Sequence, residues 1–148
     1  MPSILQKLRV TTPATSVVLI RLMVGGVFLS EGIQKFLFVD QLGAGRFARL
    51  GLPSPQVLGP LVGGFEIVCG ALVLIGLFTR LASLPLLVII GTAIVTTKLP
   101  MLAGDGFWKA AHEGRADYAM LLGLLFLLVV GAGRWSLDTR EATNPKSP

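Results

Sequence analysis

The chain alternates long apolar runs with shorter polar stretches rich in Gly, Pro and Arg. Four runs stand out, over about residues 16–38, 57–78, 81–98 and 116–130. At ~1.5 Å of rise per residue, about twenty apolar residues in a helix cross the ~30 Å hydrocarbon core of a bilayer. The pattern predicts an all-α fold: an integral membrane bundle of four transmembrane helices, up-down-up-down, over residues 16–140. A basic segment at 1–15 precedes it, and a disordered tail at 141–148 follows. Thr79-Arg80 reads as a tight connection that returns the third helix antiparallel beside the second. The other two connections, 40–56 and 99–115, read as longer polar loops. In the first, Arg46, Phe47 and Leu50 fit one short interfacial helix. In the second, Phe107 and Trp108 suit the membrane interface. The basic start followed by an apolar run imitates a signal peptide, but Arg21 interrupts the run and no A-x-A site follows.

Composition agrees with a membrane protein: 53% of residues are hydrophobic, 14% are charged, and the mean hydropathy is +0.76. The net charge of +5 does not point to nucleic acid, because the basic residues sit at the ends of apolar runs, where they meet lipid headgroups. Arg80, Arg134 and Trp135 are read as interfacial anchors of this kind. Four spans place both termini on one side, and seven Lys/Arg residues against six lean toward a cytoplasmic placement. One cysteine, Cys69, excludes an internal disulfide and reads as a small buried apolar residue. One histidine excludes a bis-histidine haem, no cysteine cluster can hold iron–sulfur, and no metal site is expected. Walker and Rossmann glycine patterns with strand context are absent. A redox cofactor is therefore a lipid-soluble molecule such as a membrane quinone, or belongs to a partner; none is bound covalently.

The polar residues inside the runs carry the functional question. Glu66 is the one charge within its span, at a cost of roughly 3 kcal/mol deep in a membrane. Gly59, Gly63 and Gly70 share its helix face, which lets a neighbouring helix come close. On the first helix Arg21, Gly25, Phe28, Gly32 and Lys35 form one stripe, and Glu31 precedes Lys35 by four residues, the better order for a helical ion pair. Counted from the helix ends, Glu31 and Glu66 both lie ~10–14 Å below the long-loop surface. Thr96, Thr97, Asp117 and Tyr118 approach that surface, with Trp108, His112 and Glu113 above it. The opposite half offers mainly Arg21. This asymmetry predicts a polar cavity opening toward the long loops. Glu66 and Lys35 are the candidate catalytic residues, and Glu31, Thr96, Asp117, Tyr118, His112 and Trp108 are candidates for binding a substrate or quinone. Against this stands a structural reading, in which Glu31, Lys35 and Glu66 form a buried ion network that fixes helix register. The threonines, likewise, can bond back to their own helix or across to another.

Arg21 with Gly25, Gly32-x-x-Lys35, Gly51-Leu52-Pro53-x-Pro55, Gly64-Phe65-Glu66, Gly76-Leu77-Phe78-Thr79-Arg80 and Gly131-x-Gly133-Arg134-Trp135-Ser136-Leu137-Asp138 follow one another in order. In this the chain resembles the DoxX family of small bacterial four-helix membrane proteins, over about residues 16–140. The resemblance implies a bundle in the bacterial cytoplasmic membrane with cytoplasmic termini, and marks Lys35, Glu66, Arg80 and Asp117. Asp117 stands where the family pattern has glutamate, which shortens its reach by a methylene. The resemblance also implies association with quinone-linked redox and detoxification systems, sometimes beside soluble sulfur-transfer or superoxide-removing enzymes. Three functions follow as expectations: a membrane subunit of such a system, a scaffold docking soluble redox or sulfur-transfer enzymes, or a small-molecule transporter acting as a homo-oligomer. Lacking a complete cofactor site, the chain as an enzyme would be a subunit rather than self-sufficient.

Overall fold

The computed structural model describes residues 14–143, with side chains through 140. Most of the expected basic segment, and residues 144–148 of the expected tail, lie outside the described residues. The elements are α1 (Val17–Leu37), α2 (Ala44–Arg49), α3 (Pro55–Ile75), α4 (Thr79–Ala93), a π-helical turn (Ile94–Lys98), α5 (Leu99–Asp105), α6 (Phe107–Val130) and α7 (Leu137–Thr143). Among the described residues there is no strand. Three helical stretches are long and apolar enough to cross a membrane: Val17–Leu37, Pro55–Ile75 and Thr79–Asp105. In α6, Lys109, Glu113, Arg115 and Asp117 crowd the first half, and the residues after Asp117 are free of charge.

Helices α1 and α3 pack backbone against backbone. A Cβ on Gly25 would lie 2.8 Å from the Gly70 carbonyl oxygen, and one on Gly32 would lie 2.7 Å from that of Gly63. Apolar side chains gain little by leaving lipid for protein, so close van der Waals contact at small residues does more of the work in membrane packing. Gly59 repeats the device one turn from the start of α3, where a Cβ would meet the Ala44 backbone at 2.7 Å and push α2 away. Helices α4 and α6 supply the other half of the core: Leu86 and Ile90 with Met120, Leu124 and Leu127, against Val24 and Phe28 of α1 and Cys69 and Val73 of α3.

The end that carries the α3–α4 turn is clasped by polar groups. Gly76 (φ 70°) and Phe78 (φ 49°) both take left-handed backbone to reverse the chain within three residues. Asp138 accepts hydrogen bonds from the N–H groups of Phe78 (2.9 Å) and Thr79 (3.2 Å), satisfying donors at the start of α4. Its own N–H donates to the Gly76 carbonyl at 2.9 Å. Arg21, 3% exposed, donates to the carbonyls of Val73 (3.0 Å), Leu74 (2.5 Å), Ala132 (3.2 Å) and Trp135. The first two stand at the C-terminal end of α3, where the helix dipole favours a cation. One guanidinium thus ties α1 to the end of α3 and to the exit of α6.

Three boundaries depart from the sequence reading. Thr79 and Arg80 are not the connection but the first residues of α4, since the turn falls at Gly76–Phe78, where glycine supplies the first positive φ. Residues 99–115 are not a loop but α5 and the first turns of α6, so the last long helix begins at Phe107 instead of 116. Pro100 sits at the first turn of α5, where its missing N–H costs nothing. Gly106 (φ 91°) makes the single break, and Asp105–Lys109 (3.2 Å) bridges it. Finally, helix α7 runs through Thr143, into the segment expected to be disordered.

Three variants test the glycine contact and the clasp. Gly32→Val should lower stability by about 1–3 kcal/mol through overpacking, while Gly26→Ala, whose Cβ would meet nothing within 4 Å, should be neutral; thermal unfolding in detergent reads both. In the same assay, Arg21→Met should cost on the order of 3–5 kcal/mol, because it strands buried carbonyls.

Candidate functional site

Glu66 meets Lys35. Their charged atoms lie 2.7 Å apart, and Lys35 is also 4.0 Å from Glu31 on its own helix. The glycine contact makes this possible. A Cβ on Gly63 would come within 3.3 Å of the Lys35 Cβ, so the bare backbone there leaves Lys35 room to cross to α3. Glu66 is 3% exposed, yet both partners line a cavity of about 480 Å³.

Each long helix gives that cavity a stripe at helical spacing. These are Val27, Phe28, Glu31 and Lys35 from α1; Leu58, Val62 and Glu66 from α3; Ile89, Thr92, Ala93 and Thr96 from α4 and the π turn; Glu113, Ala116, Asp117 and Met120 from α6. Arg46 and Phe47 of α2, with Leu50 and Leu52 beyond it, complete the wall. Opposite the Lys35–Glu66 pair stands a second one, Lys98 with Asp117 at 3.3 Å. The threonines take the back-bonding alternative: Thr92 donates to Val88 O (2.8 Å), Thr96 to Thr92 O (2.8 Å) and Thr97 to Ala93 O (2.5 Å). The π turn that holds Thr96 and Thr97 widens the helix where it faces the cavity, a placement common at functional sites.

Of the residues read from sequence, Glu66, Lys35, Glu31, Thr96 and Asp117 meet at this cavity. Trp108, His112 and Tyr118 do not line it. All three are exposed, Trp108 at 83% and Tyr118 at 63%. The reason is the early start of α6: Trp108 and His112 belong to a helix rather than to a loop able to fold over the site, and Tyr118 points about 100° round the helix from Asp117. Among the expected anchors, Arg134 and Trp135 are exposed, and Arg80 donates to the Val129 carbonyl at 2.8 Å, tying α4 to the end of α6. Arg46, Lys98 and Glu113 reach the wall without having been singled out as site residues. For Arg46 the signal was present in the amphipathic pattern of α2. Pairing Lys98 with Asp117 needs the tertiary fold.

Chemically, the cavity offers three cations and four carboxylates above an apolar floor of Val27, Phe28, Val62 and Met120. Such a lining can hold a molecule with a hydrogen-bonding head and an apolar body. Lysine and carboxylate in contact can also pass a proton to a head group placed between them. Among the described residues, no group of three or more His, Cys, Asp and Glu side chains is arranged to hold a metal.

Comparison with known proteins places the chain. The DoxX family model matches residues 16–99, which takes in α1 to α4 and the π turn. An uncharacterized membrane protein of Mycobacterium tuberculosis is 57% identical over 131 residues, covering 84% of this chain and 80% of that protein. A Bacillus subtilis protein named "Putative oxidoreductase CatD" is 30% identical over 122 residues, covering 81% of this chain and 82% of its own. No solved structure matches. With its apolar helices, these matches make the chain a multi-pass membrane protein, and it belongs to the DoxX family.

Proposed function

We propose that the chain is an integral membrane subunit of a quinone-linked redox or detoxification system, and that it binds a small molecule between the Lys35–Glu66 and Lys98–Asp117 pairs. The observation that carries this reading is the position of Lys35–Glu66: buried, yet facing a cavity of about 480 Å³. A pair retained only to fix helix register needs no open volume beside it. The name of the Bacillus subtilis relative supports an oxidoreductase setting. In this reading α6 is a fourth span, so the chain runs up-down-up-down in the bacterial cytoplasmic membrane with its termini on the cytoplasmic side. The clasp of Arg21 and Asp138 then faces the cytoplasm, and the cavity lies in the outer half of the bilayer.

A docking role for soluble redox or sulfur-transfer enzymes has one specific observation in its favour. Trp135 is 67% exposed beside exposed Arg134 on the clasped end, where a cytoplasmic partner would meet it.

Glu66→Gln separates the binding reading from a purely structural one. Glu31 stands 4.0 Å from Lys35 and can take over the cation, so the variant should unfold within a few degrees of the wild type. Its affinity for a short-chain benzoquinone, measured by calorimetry in nanodiscs, should fall about tenfold, and Lys35→Met should do the same. Unchanged affinity in a folded Glu66→Gln protein would leave the pair as a structural feature.

A further inference from the structure

We infer that the cavity takes its ligand sideways from the bilayer, through a gap between α3 and α4 edged by Val88. The ligand is then an amphiphile dissolved in lipid, whose polar head reaches Lys35 and Glu66 while its apolar chain stays in the gap. This rests on the binding role proposed above and adds the route and the class of ligand.

Val88 is the starting point. It belongs to the cavity wall, and it is also 69% exposed on the outer surface. Of the large apolar residues that line the cavity it is the most exposed, ahead of Val27 at 39% and Leu50 at 38%. Thr92, one turn on, is exposed as well and also lines the cavity. Leu58 and Val62 of α3, both half-buried, line the same cavity. The two helices are joined at the Gly76–Phe78 turn and held there through Asp138. Away from that turn, the residues just named face the cavity.

The gap lies at hydrocarbon depth. Val88 precedes Lys98, at the end of the π turn, by about ten residues, or ~15 Å along the helix. The surface there suits lipid, since the Thr92 hydroxyl is satisfied by the Val88 carbonyl at 2.8 Å. The mouth toward the polar side is different, for Arg46, Phe47 and Leu50 stand in it. The chemistry of the head follows from the walls. Lysine ammonium groups donate and carboxylates accept on both sides, which suits an uncharged head that does both. A long isoprenoid or alkyl chain cannot be enclosed with its head in about 480 Å³, so it needs an exit, and the Val88 gap provides one.

Two aryl-azide benzoquinone photoprobes test this, one carrying a long isoprenoid chain and one carrying none. The full chain in phospholipid nanodiscs is irradiated with each, and intact-mass spectrometry reads the labelling. Wild type should take both probes. Val88→Trp should cut labelling by the chain-bearing probe about tenfold more than labelling by the chainless one. Leu50→Trp, at the polar mouth, should change labelling by the two probes to the same extent. Val88→Ala should raise labelling by the chain-bearing probe, and it carries the comparison if the tryptophan variant fails to fold. A loss in Leu50→Trp confined to the chain-bearing probe, or indifference to both changes at Val88, would overturn the lateral route and leave the binding role standing. A wild type that takes neither probe would overturn the binding role and the route with it.

Discussion

The backbones of α1 and α3 touch at Gly25–Gly70 and Gly32–Gly63, and the ion pair at the centre of the molecule exists because they do. A side chain at Gly25, Gly32 or Gly70 would meet the facing backbone within 2.8 Å and force the helices apart. Lys35 reaches Glu66 across a distance that only bare backbone allows, with its charged atom 2.7 Å from the carboxylate. In lipid an unpaired carboxylate at the depth of Glu66 is costly, so the contact that brings Lys35 to it is also what lets the chain carry Glu66 there. Glu31, 4.0 Å from the same ammonium, gives the cation a second acceptor. A site with two acceptors and one donor can rearrange around a ligand without leaving a charge stranded.

The two ends of the molecule are built for different ends. At one, Arg21 and Asp138 convert loose backbone groups into a fixed clasp: four carbonyls bound by one guanidinium, and two N–H groups bound by one carboxylate. Buried carbonyls without partners destabilise strongly, so this end resists movement. At the other, the helices carry charged and hydroxyl groups to a shared cavity in place of apolar contacts. The clasp holds α3 and α4 at their shared turn, while residues of their far halves line the cavity. The groups that can exchange protons and hydrogen bonds are gathered at the open end.

Much of this was legible in the sequence, for physical reasons that differ between residues. The glycines around Glu66 announced a close helix neighbour, because small residues at helical spacing have few other uses in a membrane helix. The stripe from Arg21 to Lys35 marked a polar face on α1, but its packing against the glycines of α3 needed the tertiary fold. Counting helical rise puts Glu31 and Glu66 at one depth and brings Thr96 and Asp117 to the same half of the bundle. What stayed hidden depended on tertiary contact or on subtle helix continuation. Lys98 reads as a helix-end cation until α6 places Asp117 3.3 Å from it. Residues 99–115 look like a loop because they are polar and contain Pro100, but proline at a helix start is permitted and the helix resumes after Gly106. That error carried Trp108 and His112 into the expected site, when both stand on the exposed surface of α6. From sequence, Arg21 reads as one end of the polar stripe on α1 and the main polar residue of the half away from the cavity. Its purpose, to bind carbonyls far apart in sequence, could not be read from any spacing.

The claim at the centre is that the Lys35–Glu66 pair faces a cavity in order to hold a small molecule from the membrane. It is tested most directly by extracting the whole protein in a mild detergent and identifying what leaves the membrane with it by native mass spectrometry. A small amphiphilic molecule bound in a one-to-one ratio, released on unfolding, is the predicted result. A protein that emerges with soluble enzymes on its clasped end and no small molecule would contradict the claim, and would make the ion pair a structural element of a docking platform.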